Sequence, residues 1–112
     1  MPWEVANAQA MNKYGWRLLP VLLVVGCVET SRPPVPDATM ARASGVELVK
    51  LTRGHEVYMS DCTRCHEAKM PSEVSGEDWH IVVPGMAWNA SISEVDEEAV
   101  LAYILAAKAD PD

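Results

Sequence analysis

Apolar residues recur at helical spacing over three stretches of the chain, and none shows the strict alternation of a half-buried strand. The first follows Ser44-Gly45, opens with Val46, Leu48, Val49 and Leu51, and runs on toward Cys62. Within it Gly54, Tyr58 and Cys62 lie four residues apart and share one helix face. A glycine on that face removes a side chain and lets a second helix cross closely. The segment Glu77-Asp78-Trp79-His80-Ile81-Val82-Val83 predicts a short helix stopped by Pro84-Gly85. In the third stretch, Ser93 with Asp96 resembles a capping box with Asp in place of Glu. Glu94, Asp96, Glu97 and Glu98 put negative charge where the helix dipole favours it. Val95, Ala99, Val100, Tyr103, Ile104 and Ala107 then repeat at helical spacing as far as Lys108 and Pro111. The expected fold class is all-α, with three or four helices.

The front of the chain reads differently. Lys13 and Arg17 precede an apolar run from Leu18 to Gly26, the pattern of a secretory signal. Nine residues are too few to span a bilayer, which takes about 20. The run ends Val24-Val25-Gly26-Cys27, which resembles the bacterial lipobox and implies cleavage before Cys27 and a diacylglycerol on its sulfur. Pro2, Trp3 and Glu4 precede any positive charge, so Met11 is the more natural start. After Cys27, Pro33, Pro34 and Pro36 favour extended backbone and deny it donors. The expected organisation is a signal over 1–26, a proline-rich membrane tether over 27–43 and one domain over 44–112.

Composition narrows the function. Net charge is -7, and removing Glu4, Lys13 and Arg17 with the leader makes it -8. Such a chain repels phosphate backbones, which excludes nucleic acid as a partner. A domain of about 70 residues rarely stabilises itself through side chains alone. This one has no Phe, and Cys62 and Cys65 are too close in sequence to staple distant segments.

Those two cysteines stand in Cys62-Thr63-Arg64-Cys65-His66, the attachment pattern of c-type haem. Thiols three positions apart on a helical turn can each add to one of the two haem vinyl groups, and the adjacent imidazole reaches the iron from the same side. A thioredoxin-like pair would need a βαβ context, and a zinc site would need ligands that His55 and His80 do not supply at finger spacing. From about Leu51 to Ala107 the chain resembles a small class I cytochrome c of the bacterial single-haem type. The resemblance is carried by Gly54 and Tyr58 before the attachment site, Trp79 ahead of Met86, and the closing Ala102-Tyr103-Ile104-Leu105. It implies one covalent haem c in a small cytochrome c fold, with first and last helices crossing at Gly54 and Tyr103.

His66 is then the proximal iron ligand. For the distal side, Met70 lies four residues on, at most about 14 Å of extended chain. Met59 stands on the attachment helix, and Met40 in or near the tether. Met86, 20 residues beyond His66 and just after Pro84-Gly85, falls in an expected loop, and the resemblance points to it too. His80 and His55 are the rivals and would give two imidazoles. A thioether ligand raises the potential relative to that pair. Trp79 is read either as packing on the haem or as plain core, and Trp88 as core. Arg53 and Arg64 are candidates for the propionates. With both axial positions filled, no substrate site remains, which implies an electron carrier rather than an enzyme. It would be exported, lipid-anchored to a bacterial membrane through Cys27, and monomeric unless part of a complex. Its acidity suits redox protein partners with a basic docking face. The alternatives are a fixed haem subunit of a larger redox enzyme, and a haem sensor or peroxidase-like protein with an open sixth site.

Overall fold

Four helices follow from local chemistry that the sequence carries, and the computed structural model describes them within residues 32–109, with Gly26. Helix α1, Ala38–Ser44, starts where the Asp37 carboxylate accepts the Met40 N–H at 2.8 Å, and stops at Gly45, whose φ of 71° is left-handed. Helix α2, Leu48–Ser60, buries Leu51, Gly54, Val57 and Tyr58 along one side. Two 3-10 turns follow, Cys62–Arg64 and Pro71–Glu73. Helix α3, Gly76–Ala90, is capped by Ser75, whose hydroxyl accepts the Asp78 N–H at 3.1 Å. Helix α4, Glu94–Ala109, begins with the Ser93 hydroxyl accepting the Asp96 N–H at 3.2 Å. No strand occurs among the described residues, so the fold class is all-α. Apart from Gly26, the expected signal lies outside the described residues, as does Cys27.

The core forms where α2 and α4 cross. A Cβ built on Gly54 would land on the Ala99 carbonyl oxygen, 2.6 Å from the Ala99 carbonyl carbon and 2.8 Å from the Tyr103 Cβ. The missing side chain is therefore what lets the two backbones meet, at the two positions expected. Leu51, Val57, Tyr58, Val100, Tyr103 and Ile104 close around the crossing, each at most 2% exposed. Three buried aromatic donors then tie down segments outside the four helices. Tyr103 Oη donates to the Pro34 carbonyl at 2.6 Å, Tyr58 Oη to the Lys69 carbonyl at 2.7 Å, and Trp79 Nε1 to the Pro71 carbonyl at 2.9 Å. Each ring contributes its apolar body to the core and its polar tip to a loop.

Two sequence expectations change. The domain begins well before Ser44. Pro33 is buried, Pro34 accepts from Tyr103, and Met40 is 1% exposed in the main core, so 33–43 is part of the domain rather than of a tether. The prolines do keep this strap extended, but extended chain can still dock where its carbonyls meet donors. Met40→Ala is expected to cost about 2 kcal/mol, the lower end for a buried methionine, because a seven-residue helix can settle into the gap. An unchanged urea midpoint would return the segment to a free tether.

The second change concerns Pro84, which does not stop the helix: α3 runs through it to Ala90. Trp79, Val83 and Ala87 are buried at four-residue spacing on both sides of it. That stripe anchors the helix across the single hydrogen bond a proline removes, and Pro84 itself faces solvent.

At the surface, Arg53 on α2 grips Asp96 on α4 through two bonds of 2.9 Å. Asp96 therefore completes only half of a capping box, its side chain being drawn to Arg53. That hydrogen bond holds the Asp96 carboxyl below its usual value. A depressed carboxylate adds stability that is present above its unfolded pKa of about 3.9 and is lost as pH falls through the folded one. The native chain should thus lose slightly more stability than Asp96→Asn between about pH 5 and pH 2, within the small range of exposed pairs. Urea midpoints at both pH values test it, and equal losses would remove the pair from the account.

Candidate functional site

Beyond Asp61 the backbone of α2 tightens into the 3-10 turn Cys62–Arg64. The turn carries Cys62 inward, to 6% exposure, and leaves Cys65 and His66 at the surface. It is held by Arg64 on the Asp61 carboxylate at 2.7 Å and by the Thr63 hydroxyl donating to the Met59 carbonyl at 2.6 Å. Both thiols are free. Burial, with help from the Asp61 charge, pushes the Cys62 thiol above its usual value, so it stays protonated at neutral pH.

His66 Nδ1 lies 2.7 Å from the Glu67 carbonyl oxygen. A carbonyl only accepts, so Nδ1 donates here, and in the neutral ring the Nε2 lone pair is left for another partner. This is the tautomer in which an imidazole binds a metal. The stretch after His66 is pinned by Tyr58 at Lys69 and by Trp79 at Pro71. Burial raises the Tyr58 hydroxyl to about 12, so this donor keeps its proton across the ordinary pH range.

Helix α3 supplies the rest of the site. Met86, Asn89 and Ala90, spaced for one helix face, line a cleft of about 250 Å³ together with Asp61, Cys62, Arg64, Cys65 and His66. The fold thus gathers both cysteines, the histidine after them and the expected distal methionine around a single space. Met86 reaches it from a helix, not from the expected loop, because α3 continues past Pro84.

The other candidates do not line this cleft. Met40 is in the core, and Met59 and Met70 are half-buried elsewhere. His80 is exposed with Nδ1 2.7 Å from the Gly76 carbonyl, and His55 sits edge-on to Tyr103 at 5.1 Å. Burial lowers the pKa of His55. Trp79 is 1% exposed, meets Tyr58 edge-on at 6.4 Å and spends its N–H on Pro71, which makes it core. Trp88, expected in the core, is instead 85% exposed. Arg53 is committed to Asp96, whereas Arg64 lines the cleft. Sequence reasoning missed Asp61, Asn89 and Ala90 as lining residues. The last two stand three and four positions after Met86, a signal hidden by ending the helix at Pro84.

Among the described residues no three His, Cys, Asp or Glu side chains gather into a metal cage. The cleft offers instead an imidazole with a bare Nε2, a thioether and two thiols. That donor set is compatible with a haem c, which could use two thiols at its vinyl groups and an imidazole nitrogen and a thioether sulfur at its iron. Comparison with models of known protein families, with curated proteins and with solved structures finds no match.

Proposed function

We propose that this protein is a single-haem c-type electron carrier, exported and held at a bacterial membrane by lipid on Cys27. One observation carries the reading: Cys62, Cys65, His66 and Met86 line the same cleft. Cys62 and Cys65 would hold the haem through thioether bonds, His66 through Nε2 and Met86 through sulfur. Haem c, when bound, stores one electron as iron(II) and releases it as iron(III), with a high potential favoured by the thioether. The chain's own part is to fix the ligands. The Glu67 carbonyl sets the His66 tautomer, and the buried stripe of α3 sets the position of Met86. At about 250 Å³ the cleft is smaller than the roughly 300–1,000 Å³ of pockets that enclose a ligand, and Cys65, His66 and Asn89 in its lining are exposed. A cleft with exposed lining suits exchange with other proteins. No helix among the described residues is long and apolar enough to cross a membrane, and the leader and Cys27 supply the attachment in this reading.

The test is to express the full chain in a host with cytochrome c maturation machinery and record oxidised and reduced spectra. The expected result is covalent haem with the weak long-wavelength sulfur-to-iron band and no carbon monoxide binding to the reduced protein. Covalent haem that binds carbon monoxide would move the reading to a sensor or peroxidase-like protein. Absence of covalent haem would overturn it. Lipid on Cys27 is read separately, as a fatty-acid label lost in Cys27→Ser.

A further inference from the structure

Helix α3 turns one apolar face to solvent that the cleft does not use. Trp88 is 85% exposed and Ile81 is 73% exposed, and seven residues apart they stand on one side of the helix, opposite Val83 and Ala87. Trp88 is followed at once by Asn89, which lines the cleft. The cleft beside it holds one cation, Arg64, paired with Asp61, whereas the helices α3 and α4 are acidic as far as Lys108. Residues 71–107 contain no lysine or arginine but seven Asp or Glu, of which Asp96 alone has an arginine partner among the described residues. Glu77 and Asp78 stand on the first turn of α3, and Glu94 and Glu97 on the first turn of α4. An indole this open offers a large apolar surface, and tryptophan is among the side chains enriched at the energetic centre of protein contacts. The acidity of the two helices decides between occupants. A second copy would set the same acidic surface against itself, and an anionic bilayer would be repelled as well.

We infer that Trp88 and Ile81 form the docking contact for a basic redox protein, whose lysines and arginines answer the carboxylates of α3 and α4. The inference rests on the electron-carrier reading, and gives that carrier a defined face beside the cleft. Charge steers the encounter, and the indole then holds the complex long enough for an electron to cross.

The experiment takes the purified holoprotein and a basic cytochrome c of mitochondrial type as probe. Two readings are made, the indole N–H signals by nuclear magnetic resonance and the rate of electron exchange. The Trp88 indole should shift on titration while that of buried Trp79 stays, and the shift should vanish between about 20 and 200 mM salt. Trp88→Ala should slow exchange about tenfold or more at low salt, the loss a truncated anchor residue gives, with an unchanged spectrum and potential. Glu94→Gln with Glu97→Gln should flatten the salt dependence. Full-rate exchange in Trp88→Ala, or an unmoved Trp88 indole, would overturn the inference. So would self-association through Trp88, or binding to phosphatidylglycerol vesicles lost in Trp88→Ala. A chain without covalent haem fails on its own spectrum, and the indole titration still reads the docking face.

Discussion

Met86→Ala holoprotein is expected to keep its covalent haem, lose the sulfur-to-iron band, bind carbon monoxide when reduced, and fall in midpoint potential by roughly 100 mV or more. That drop is a fraction of the approximately 0.8 V that axial ligands span. The substitution isolates ligation from folding. Met86 is half-buried on α3, outside the Trp79, Val83 and Ala87 stripe that anchors the helix, and alanine is the better helix former. In the proposed carrier, attachment would rest on Cys62 and Cys65, which the change leaves alone. Met70→Ala should alter neither spectrum nor potential, since Met70 does not line the cleft. If Met86→Ala kept both band and potential, and His80→Ala lost them, the distal ligand would have to be reassigned.

Gly54→Ala should bring the largest loss of stability of any single methyl group added to this chain, more than about 3 kcal/mol. Overpacking a core costs about 1–3 kcal/mol when side chains can give way. Here the new Cβ meets the Ala99 backbone, so the only response is for α2 and α4 to separate. Separation opens the packing of Leu51, Val100 and Tyr103 all at once. Against a total of about 5–15 kcal/mol, this leaves little. Gly85→Ala is the control, because nothing lies within 4 Å of its added Cβ and the residue is inside α3. It should stabilise by about 0.5–1 kcal/mol, the usual gain of alanine over glycine in a helix. Urea midpoints of the two variants should therefore move in opposite directions.

What could be read from the sequence divides by the range of the physics involved. The Ser93 cap, the Gly54–Tyr103 crossing and the shared face of Gly54 and Tyr58 were legible because each depends on residues within a turn or two, or on one residue too small to be replaced; Cys62, expected on that face, lies past the helix end in its own turn. The cysteine pair and its histidine were legible for the same reason. Pro84 misled because its local cost is real but small beside the buried stripe that spans it, and that stripe exists only once α4 has packed. The strap misled in the same way. Asp37 and Gly45 do mark a short helix at its two ends, yet Met40 becomes core only when α4, which carries Tyr103 to the Pro34 carbonyl, packs against α1. Trp88 follows the opposite logic: its apolarity argued for burial, and the fold spends it on the surface.

The docked strap also sets a distance. Between Cys27 and the buried Pro33 lie six residue steps, which span at most about 20 Å when fully drawn out. A tether free as far as Ser44 would have reached nearly three times as far. An acylated Cys27 would thus keep the domain on a short leash, skimming the headgroups rather than ranging outward. Its traffic would run sideways along the bilayer, toward partners whose own redox centres lie in or just above the same leaflet.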